Sequence, residues 1–384
     1  MSEQINTPAV PGNSPDLVAL LGIIRSMVGE VHPKWKHVLF TPDALLEREL
    51  GLDSLARMEL RTRIQQDLGI SLAEEVAVSA ATPRDLLRAI EAITDGGQAD
   101  TRSPSAADPA TNDPGDLLMG SFGTPGSDGT APGPPGHTAA EWLYAVYAWP
   151  VFIVIGVLSW LLVVIAPFSS WRRKLAHYGA RSLFACTFTP LTVSGHEHAD
   201  PDKPHIIVAN HASYLDGLIL TAALDLPIHF IVKGELARNA PIRLLLHRFG
   251  VEFVDRFNAT RGASAVNRIV KKSTGGQTIV IFPEGTFINF PGLQPFRMGA
   301  FVTAARSHVP VTPVAIKGAR AMVRGDDWFP RRGHIEVTVC PPIMPSGEGW
   351  QMALNLRDAA RHEIARYCGE PDLVEAETKG LLQT

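Results

Sequence analysis

The 384-residue sequence has no CxxC pair, and its three cysteines, Cys186, Cys340 and Cys368, are odd in number and far apart. That spacing supports neither a disulfide framework nor a zinc knuckle, and a reducing cytosolic setting is the simplest expectation. No block of lysine or arginine occurs, and the formal net charge is −4. Without a global positive field, nucleic acid is not expected as a partner. The opening MSEQINTPAV lacks the basic and apolar regions of an export signal, so secretion is not expected. Internal repeats are also lacking. Hydrophobic residues make up 45% against 19% charged, too polar for a multi-span protein and oily for a soluble one. A peripheral or singly anchored protein of two to three domains fits that balance.

Composition shifts divide the chain. In residues 1–95, Leu17, Leu20, Leu21, Ile24 and Val28 recur at helical spacing after Ser14-Pro15-Asp16, which predicts an amphipathic first helix. Thr41-Pro42 and Thr82-Pro83 repeat the start signal, the second with Asp85 placed to complete a capping box. Residues 96–138 are dominated by Gly, Pro, Ser, Ala and Asp and read as a disordered linker. A flexible coil of that length spans on the order of 35 Å. Residues 142–171 contain no charge at all and end on Arg172, Arg173 and Lys174, with Trp142, Tyr144, Tyr147, Trp149, Trp160 and Trp171 along them. This predicts a membrane-embedded helical segment over 139–185. Beyond it, residues 205–209, 228–233, 278–282, 311–316 and 335–340 read as strands. The stretches after Tyr214, Ala259 and Phe296 read as helices, so 186–384 is expected to be an α/β domain with a largely buried sheet.

Within the first segment, Gly51-Leu52-Asp53-Ser54-Leu55 precedes a helical run carrying Leu60, Ile64 and Leu68. Ser54 there suits an N-cap. It also suits a phosphodiester, because free N–H groups and the positive dipole end favour an anion. GLDSL in a small four-helix segment resembles the acyl-carrier (phosphopantetheine-binding) family. That resemblance implies a covalent 4'-phosphopantetheine on Ser54, and hence a phosphopantetheinyl transferase and an acyl-loading enzyme as partners. Arg57, Arg61 and Arg63 beside Glu59 depart from the acidic face usual in fatty-acid carriers.

After the 205–209 strand comes Asn210-His211-Ala212-Ser213-Tyr214-Leu215-Asp216, a histidine and a carboxylate with four residues between them, the HX4D spacing, at a strand-to-helix junction. Moving an acyl group from a thioester to an alcohol needs a base for the hydroxyl proton. Imidazole has a suitable pKa, and a carboxylate can fix its tautomer. NHASYLD, GVEFVDR, FPEGT and VPVTPVAI, in that order, resemble the four blocks of the glycerolipid acyltransferase family that includes lysophosphatidate and lysophospholipid acyltransferases. The resemblance implies His211 as general base and Asp216 as its partner. It also implies Arg256, Glu284, Gly285 and Thr286 as acceptor-binding residues, an acyl thioester as donor and a lipid as acceptor. FPEGT continues as Phe287-Ile288-Asn289 rather than with arginine, which resembles the branch acting on lysophospholipids with a head group.

His196-Glu197-His198 with Asp200 could place two imidazoles on one strand face, but no further ligand cluster follows and no metal is expected. The expected whole is a multidomain protein: a small all-α four-helix carrier domain, and an α/β acyltransferase domain with a membrane-embedded helical segment. It would sit on the cytoplasmic face of a membrane through a re-entrant or in-plane anchor, because the arm on Ser54 derives from cytosolic coenzyme A. Two rival readings share these features: release of a carrier-bound intermediate onto a non-phospholipid alcohol or amine, and a non-catalytic membrane platform that presents a carrier.

Overall fold

The structure, a computed structural model, describes residues 15–32, 35, 40–47, 49–94, 138–233, 240–248, 251–254, 259–286, 291–323 and 329–373. The linker expected before Thr138, Ser14 and Arg256 lie outside the described residues. The chain divides into an N-terminal helical unit and a larger unit built on a sheet.

The helical unit contains α1 (Pro15–Val31), α2 (Ser54–Leu68), α3 (Glu74–Ser79) and α4 (Pro83–Thr94). Leu17, Leu20, Ile24 and Val28 of α1 are buried, as are Leu60 and Ile64 of α2 and Leu86 and Ile90 of α4. Each such side chain contributes about 1.5–3 kcal/mol by leaving water, which offsets the entropy of ordering so small a unit. The capping box at Thr82 forms: Thr82 N–H donates to Asp85 Oδ2 at 3.0 Å and Asp85 N–H to Thr82 Oγ1 at 3.2 Å. Thr41-Pro42 does not open a helix; the described residues from 41 to 50 form turns and bends instead. Their polar groups are spent on the entrance to α4. Leu46 N–H donates to Ala81 O at 2.9 Å, Arg84 N–H to Pro42 O at 2.9 Å, and Arg84 pairs with Asp43 at 2.5 and 2.8 Å.

The three arginines of α2 are cross-braces. Arg57, 9% exposed, donates to Ala80 O at 3.2 Å and to Glu47 at 3.1 Å. Arg61 donates to Leu72 O at 2.6 Å, and Arg63 forks onto both oxygens of Glu30 at 2.7 Å each. The apparent basic face is therefore largely spent inside the unit, with guanidiniums matched to carbonyls and carboxylates.

In the larger unit, the described residues form a seven-stranded sheet in the order β1-β7-β6-β2-β5-β3-β4. The strands are β1 (Leu191–Ser194), β2 (Ile206–Ala209), β3 (Ile228–Lys233), β4 (Glu252–Val254), β5 (Thr278–Ile281), β6 (Val311–Lys317) and β7 (Ile335–Val339). All neighbours are parallel except β6 and β7. Central strands of such a sheet are covered on both faces and read as continuous apolar runs. Accordingly Ile206, Ile207, Val208 and Ala209 are all 0% exposed.

The remaining helices of the chain are α5 (Ala139–Ile165), α6 (Ser169–Cys186), α7 (Asp216–Ala223), α8 (Ala240–Arg248), α9 (Ala259–Thr274), α10 (Gly299–Ser307), α11 (Ala319–Met322) and α12 (Gly349–Tyr367); all but the first half of α9 belong to the larger unit. α5 starts with a Thr138–Glu141 capping box and runs unbroken through Pro150. It is long and apolar enough to cross a membrane, with only 11% of its apolar window buried. α6 differs from the membrane-embedded segment expected over 139–185, because Ala180 and Phe184 enter the core beneath the sheet. Of the segment expected to embed, α5 carries most of the exposed apolar surface, with Phe168, Trp171 and Tyr178 exposed beyond it.

Candidate active site

β2 leads through α7 to β3, past β5, while β5 leads through α10 to β6, past β2. Connections that leave neighbouring parallel strands in opposite directions open a crevice at the strands' C-terminal ends. The registers Ile206↔Ile279 and Val208↔Ile281 put the exits of β2 and β5 side by side. The two motifs read from the sequence, 210–216 and 282–286, are those exits.

Asn210 is buried and extends the pairing of β2 with β6 through its side chain. Its Nδ2 donates to Ile316 O at 2.9 Å and its Oδ1 accepts Ile316 N–H at 2.7 Å. This fixes where the chain leaves the sheet. His211 follows, 21% exposed at its side chain, with Nδ1 at 2.8 Å from Asp216 Oδ2. Asp216, the first residue of α7 and 0% exposed, accepts at the same oxygen from the N–H groups of Ala212 at 2.6 Å and Ser213 at 2.8 Å. A carboxylate receiving two backbone donors and an imidazole is held in place, and it sets the ring's tautomer: Nδ1 keeps its proton and Nε2 carries the lone pair. Phe282 stacks on the imidazole with ring centroids 4.5 Å apart and planes 21° from parallel, fixing the ring plane.

Glu284 is 5% exposed, and its carboxylate faces backbone rather than open solvent. Oε1 accepts the His211 N–H at 2.6 Å and Oε2 the Gln294 N–H at 3.0 Å. Burial pushes its pKa up to about 7; the two amide hydrogen bonds pull it down, the charge of Asp216 adds to the rise, and Arg361 opposes it. In the structure this expected acceptor ligand therefore ties the two motifs together. Gly285 has φ +82°, a left-handed backbone that favours glycine, and a Cβ there would push on the Arg297 side chain, 2.8 Å away at Nε. Thr286 is exposed, and its carbonyl accepts from Gln294 Nε2 at 2.7 Å.

Residues 196–198 form a short 3₁₀ turn rather than strand, and His198 Nδ1 lies 2.9 Å from Val339 O, so the two imidazoles do not alternate along a strand face. Among the described residues no group of three or more His, Cys, Asp or Glu could hold a metal ion.

In the helical unit, Ser54 is the first residue of α2 and half-buried, while Asp53 is the N-cap, its Oδ1 accepting from Leu55 N–H at 3.1 Å and Ala56 N–H at 2.9 Å. Ser54 is thus relieved of capping. The first turn of α2 itself holds no acidic residue, and the Asp53 carboxylate beside it takes two of its N–H groups, so the favourable pull of the helix start on a phosphodiester at Ser54 is shared with that cap. Asn210, Phe282, Gln294 and Arg361 were given no role from the sequence. The first two lie in or beside the recognised motifs; the last two carry no local signal.

Residues 190–317 match the family model described as Acyltransferase, and residues 23–90 match that described as Phosphopantetheine attachment site. The chain is 29% identical over 226 residues to a chloroplastic 1-acyl-sn-glycerol-3-phosphate acyltransferase of Brassica napus, covering 56% of this chain and 64% of that protein. It is 31% identical over 177 residues to mouse lysophosphatidylcholine acyltransferase 2, covering 44% of this chain and 31% of that protein. The chain thus spans less than two thirds of either relative's length. The crystal structure of the 1-acyl-sn-glycerophosphate (LPA) acyltransferase from Thermotoga maritima superposes with a TM-score of 0.51 at 20% identity, over 60% of this chain and 97% of that one. That likeness establishes the fold.

Proposed function

We propose that this chain, a phosphopantetheine-attachment domain joined to an acyltransferase domain, moves a fatty acyl group from a thioester to the hydroxyl of a lysophospholipid-like acceptor. The observation that carries the reading is the His211 Nδ1–Asp216 Oδ2 contact at 2.8 Å, at the C-terminal lip of β2. His211 Nε2 takes the acceptor's hydroxyl proton as that oxygen forms a C–O bond to the acyl carbon. The C–S bond then breaks, and the imidazolium returns its proton to the departing sulfur. Asp216 stabilises the imidazolium between those steps. When bound on Ser54, a phosphopantetheine group supplies a thiol that holds the acyl chain as a thioester. Tethering raises donor concentration to about the mM range for a linker of suitable length. The relatives' names point to 1-acylglycerol-3-phosphate and lysophosphatidylcholine as acceptors to test. Arg256 is the proposed phosphate ligand.

The fastening of α5 favours an in-plane anchor over a span. Near its start, Tyr144 and Tyr147 donate to Thr187 O at 3.0 Å and Cys186 O at 2.7 Å. At its far end, Arg172 holds Ala166 O, Pro167 O and Arg248 O. A helix bolted at both ends to one globular unit lies along it, with its exposed apolar face in a single leaflet. This keeps Ser54 and His211 on one side, proposed to be the cytoplasmic face. The deciding experiment incubates the full chain, bearing a labelled acyl group on Ser54, with lysophosphatidate and lysophosphatidylcholine vesicles. Labelled diacyl product supports the reading, and an acyl group that stays on the protein or goes to water refutes it.

A further inference from the structure

Arg361, on α12, lies beyond residues 190–317 that match the acyltransferase family model. Its side chain is 12% exposed, and its guanidinium lies 5.2 Å from the centre of the Phe296 ring. It donates to the carbonyls of Gln294 and Leu293, the latter at 2.9 Å, and to the carboxylate of Asp372. The chain beyond α12 grips the same loop. Leu293 N–H donates to Pro371 O at 2.8 Å, Gly292 N–H donates to Glu370, and Glu370 accepts from Arg320 at 2.6 Å. On its other side that loop gives its Gln294 N–H to Glu284, whose second oxygen holds the His211 N–H.

We propose that Arg361 is a positioning residue for the acyl-transfer site, clamping the 291–294 loop so that Gln294 and Glu284 seat the backbone of His211. The proposal rests on the reading of His211 as general base. Among the described residues Arg361 hydrogen-bonds to neither His211 nor Asp216; it acts through two intermediates. A fork that binds two consecutive carbonyls and a carboxylate sets loop geometry more tightly than a point charge can. Small displacements of a base are enough to cost rate.

The clamp is also electrostatic. Glu284 accepts two N–H groups and is suited to that task as a carboxylate. Acting on it are Asp216 and His211 from the β2–α7 connection and Arg361 from α12, with Cys368 at the end of α12 in its field; the Arg297 side chain lies over the neighbouring Gly285. Arg361 favours the ionised form of Glu284 while burial and Asp216 oppose it. Removing the guanidinium should therefore raise the pH at which the clamp is made. Removing Asp372, which offsets part of the Arg361 charge, should lower it.

The test compares Arg361→Gln, Arg361→Lys and Asp372→Asn in the full chain, by kcat/KM against pH and by hydrogen exchange of the peptide 206–216. Arg361→Gln should lose about 10- to 100-fold at neutral pH and recover part of that loss as the pH rises. Arg361→Lys should restore part of the rate, and Asp372→Asn should move the acid limb the opposite way. Exchange in 206–216 should quicken in Arg361→Gln while β1 and β7 stay protected. A loss equal at every pH, a limb that moves the same way in Asp372→Asn, or loosening of β1 and β7 alongside 206–216 overturns the proposal. Exchange needs no turnover, so a wild-type chain without transfer activity would refute the proposed function while the clamp is still measured.

Discussion

The backbone N–H of His211 donates to Glu284 Oε1 at 2.6 Å, joining the exits of two adjacent parallel strands through one buried carboxylate. Its pKa is raised from 4.5 to about 7, chiefly by burial. Because the folded value is the higher one, this group's contribution to stability is fully present below pH 4.5 and is lost as pH rises through about 7. The swing is on the order of 3 kcal/mol. The geometry around His211, however, calls for the ionised form. Stability and activity should therefore respond oppositely to pH across that window. Glu284→Gln should flatten the denaturation midpoint between those values and lower transfer above pH 7. An unchanged stability profile would show that Glu284 titrates elsewhere.

The His211–Asp216 pair should behave as a unit. His211→Ala is expected to lose about 100- to 10,000-fold in transfer, the range of general-base catalysis, with the fold intact by circular dichroism. Asp216→Asn keeps an oxygen for Ala212 and Ser213 but loses the charge that stabilises the imidazolium, so it too should lose rate. The double variant should then be little slower than the worse single one. Additive losses would separate the two roles.

Ser54→Ala should remain unmodified when the chain is incubated with a phosphopantetheinyl transferase and coenzyme A, as read by intact mass. It should also lose transfer from a carrier-bound donor. Transfer from free acyl-CoA, if the acyltransferase domain accepts it, should be unaffected, because no catalytic group has been removed. Because Asp53 supplies the helix cap, the substitution should leave stability within about 0.5 kcal/mol.

Two arginines of the helical unit, Arg57 on α2 and Arg88 on α4, separate buried from exposed charge. Arg57→Ala removes donors to Ala80 O and Glu47 and leaves a buried carbonyl short of its partner, a cost of about 1–3 kcal/mol. Arg88→Ala removes a side chain that is 71% exposed and 3.7 Å from Asp85, so it should be nearly neutral. Hydrogen exchange across α2 and α4 in the full chain distinguishes them. Equal effects would mean that Arg57 faces solvent in solution.

Periodicity and caps made α1, α2, α4 and five of the strands legible, because each is set by burial of a local pattern. β1 and β4 escaped: β1 is half-buried and exposed in alternation rather than a continuous apolar run like the equally short β2, and β4 is only three residues long. α8 and α12 also escaped, no expectation having been placed on 240–248 or 349–367. Thr41-Pro42 misled because Asp43 and Pro42 bond to Arg84, a partner more than forty positions away. At the site, His211, Asp216 and Glu284 stood out as residue types in order. That Glu284 holds a backbone amide while Asn210 imitates a strand depends on β2 lying between β5 and β6, which no local window contains.

The lie of α5 carries the last prediction. A spanning helix would put Ala139 and Phe168 on opposite faces of a bilayer, yet Tyr147 ties the near end to Cys186, and Arg172 ties Pro167 at the far end to Arg248. Single cysteines at positions 139 and 168, in a Cys186→Ser background with Cys340 and Cys368 buried, should both react with an impermeant maleimide added from the side that exposes Ser54. Reaction of only one would mean that these fastenings break in the membrane. In that case, with Arg172, Arg173 and Lys174 drawn to the cytoplasmic side, a single span would leave Ser54 cut off from His211.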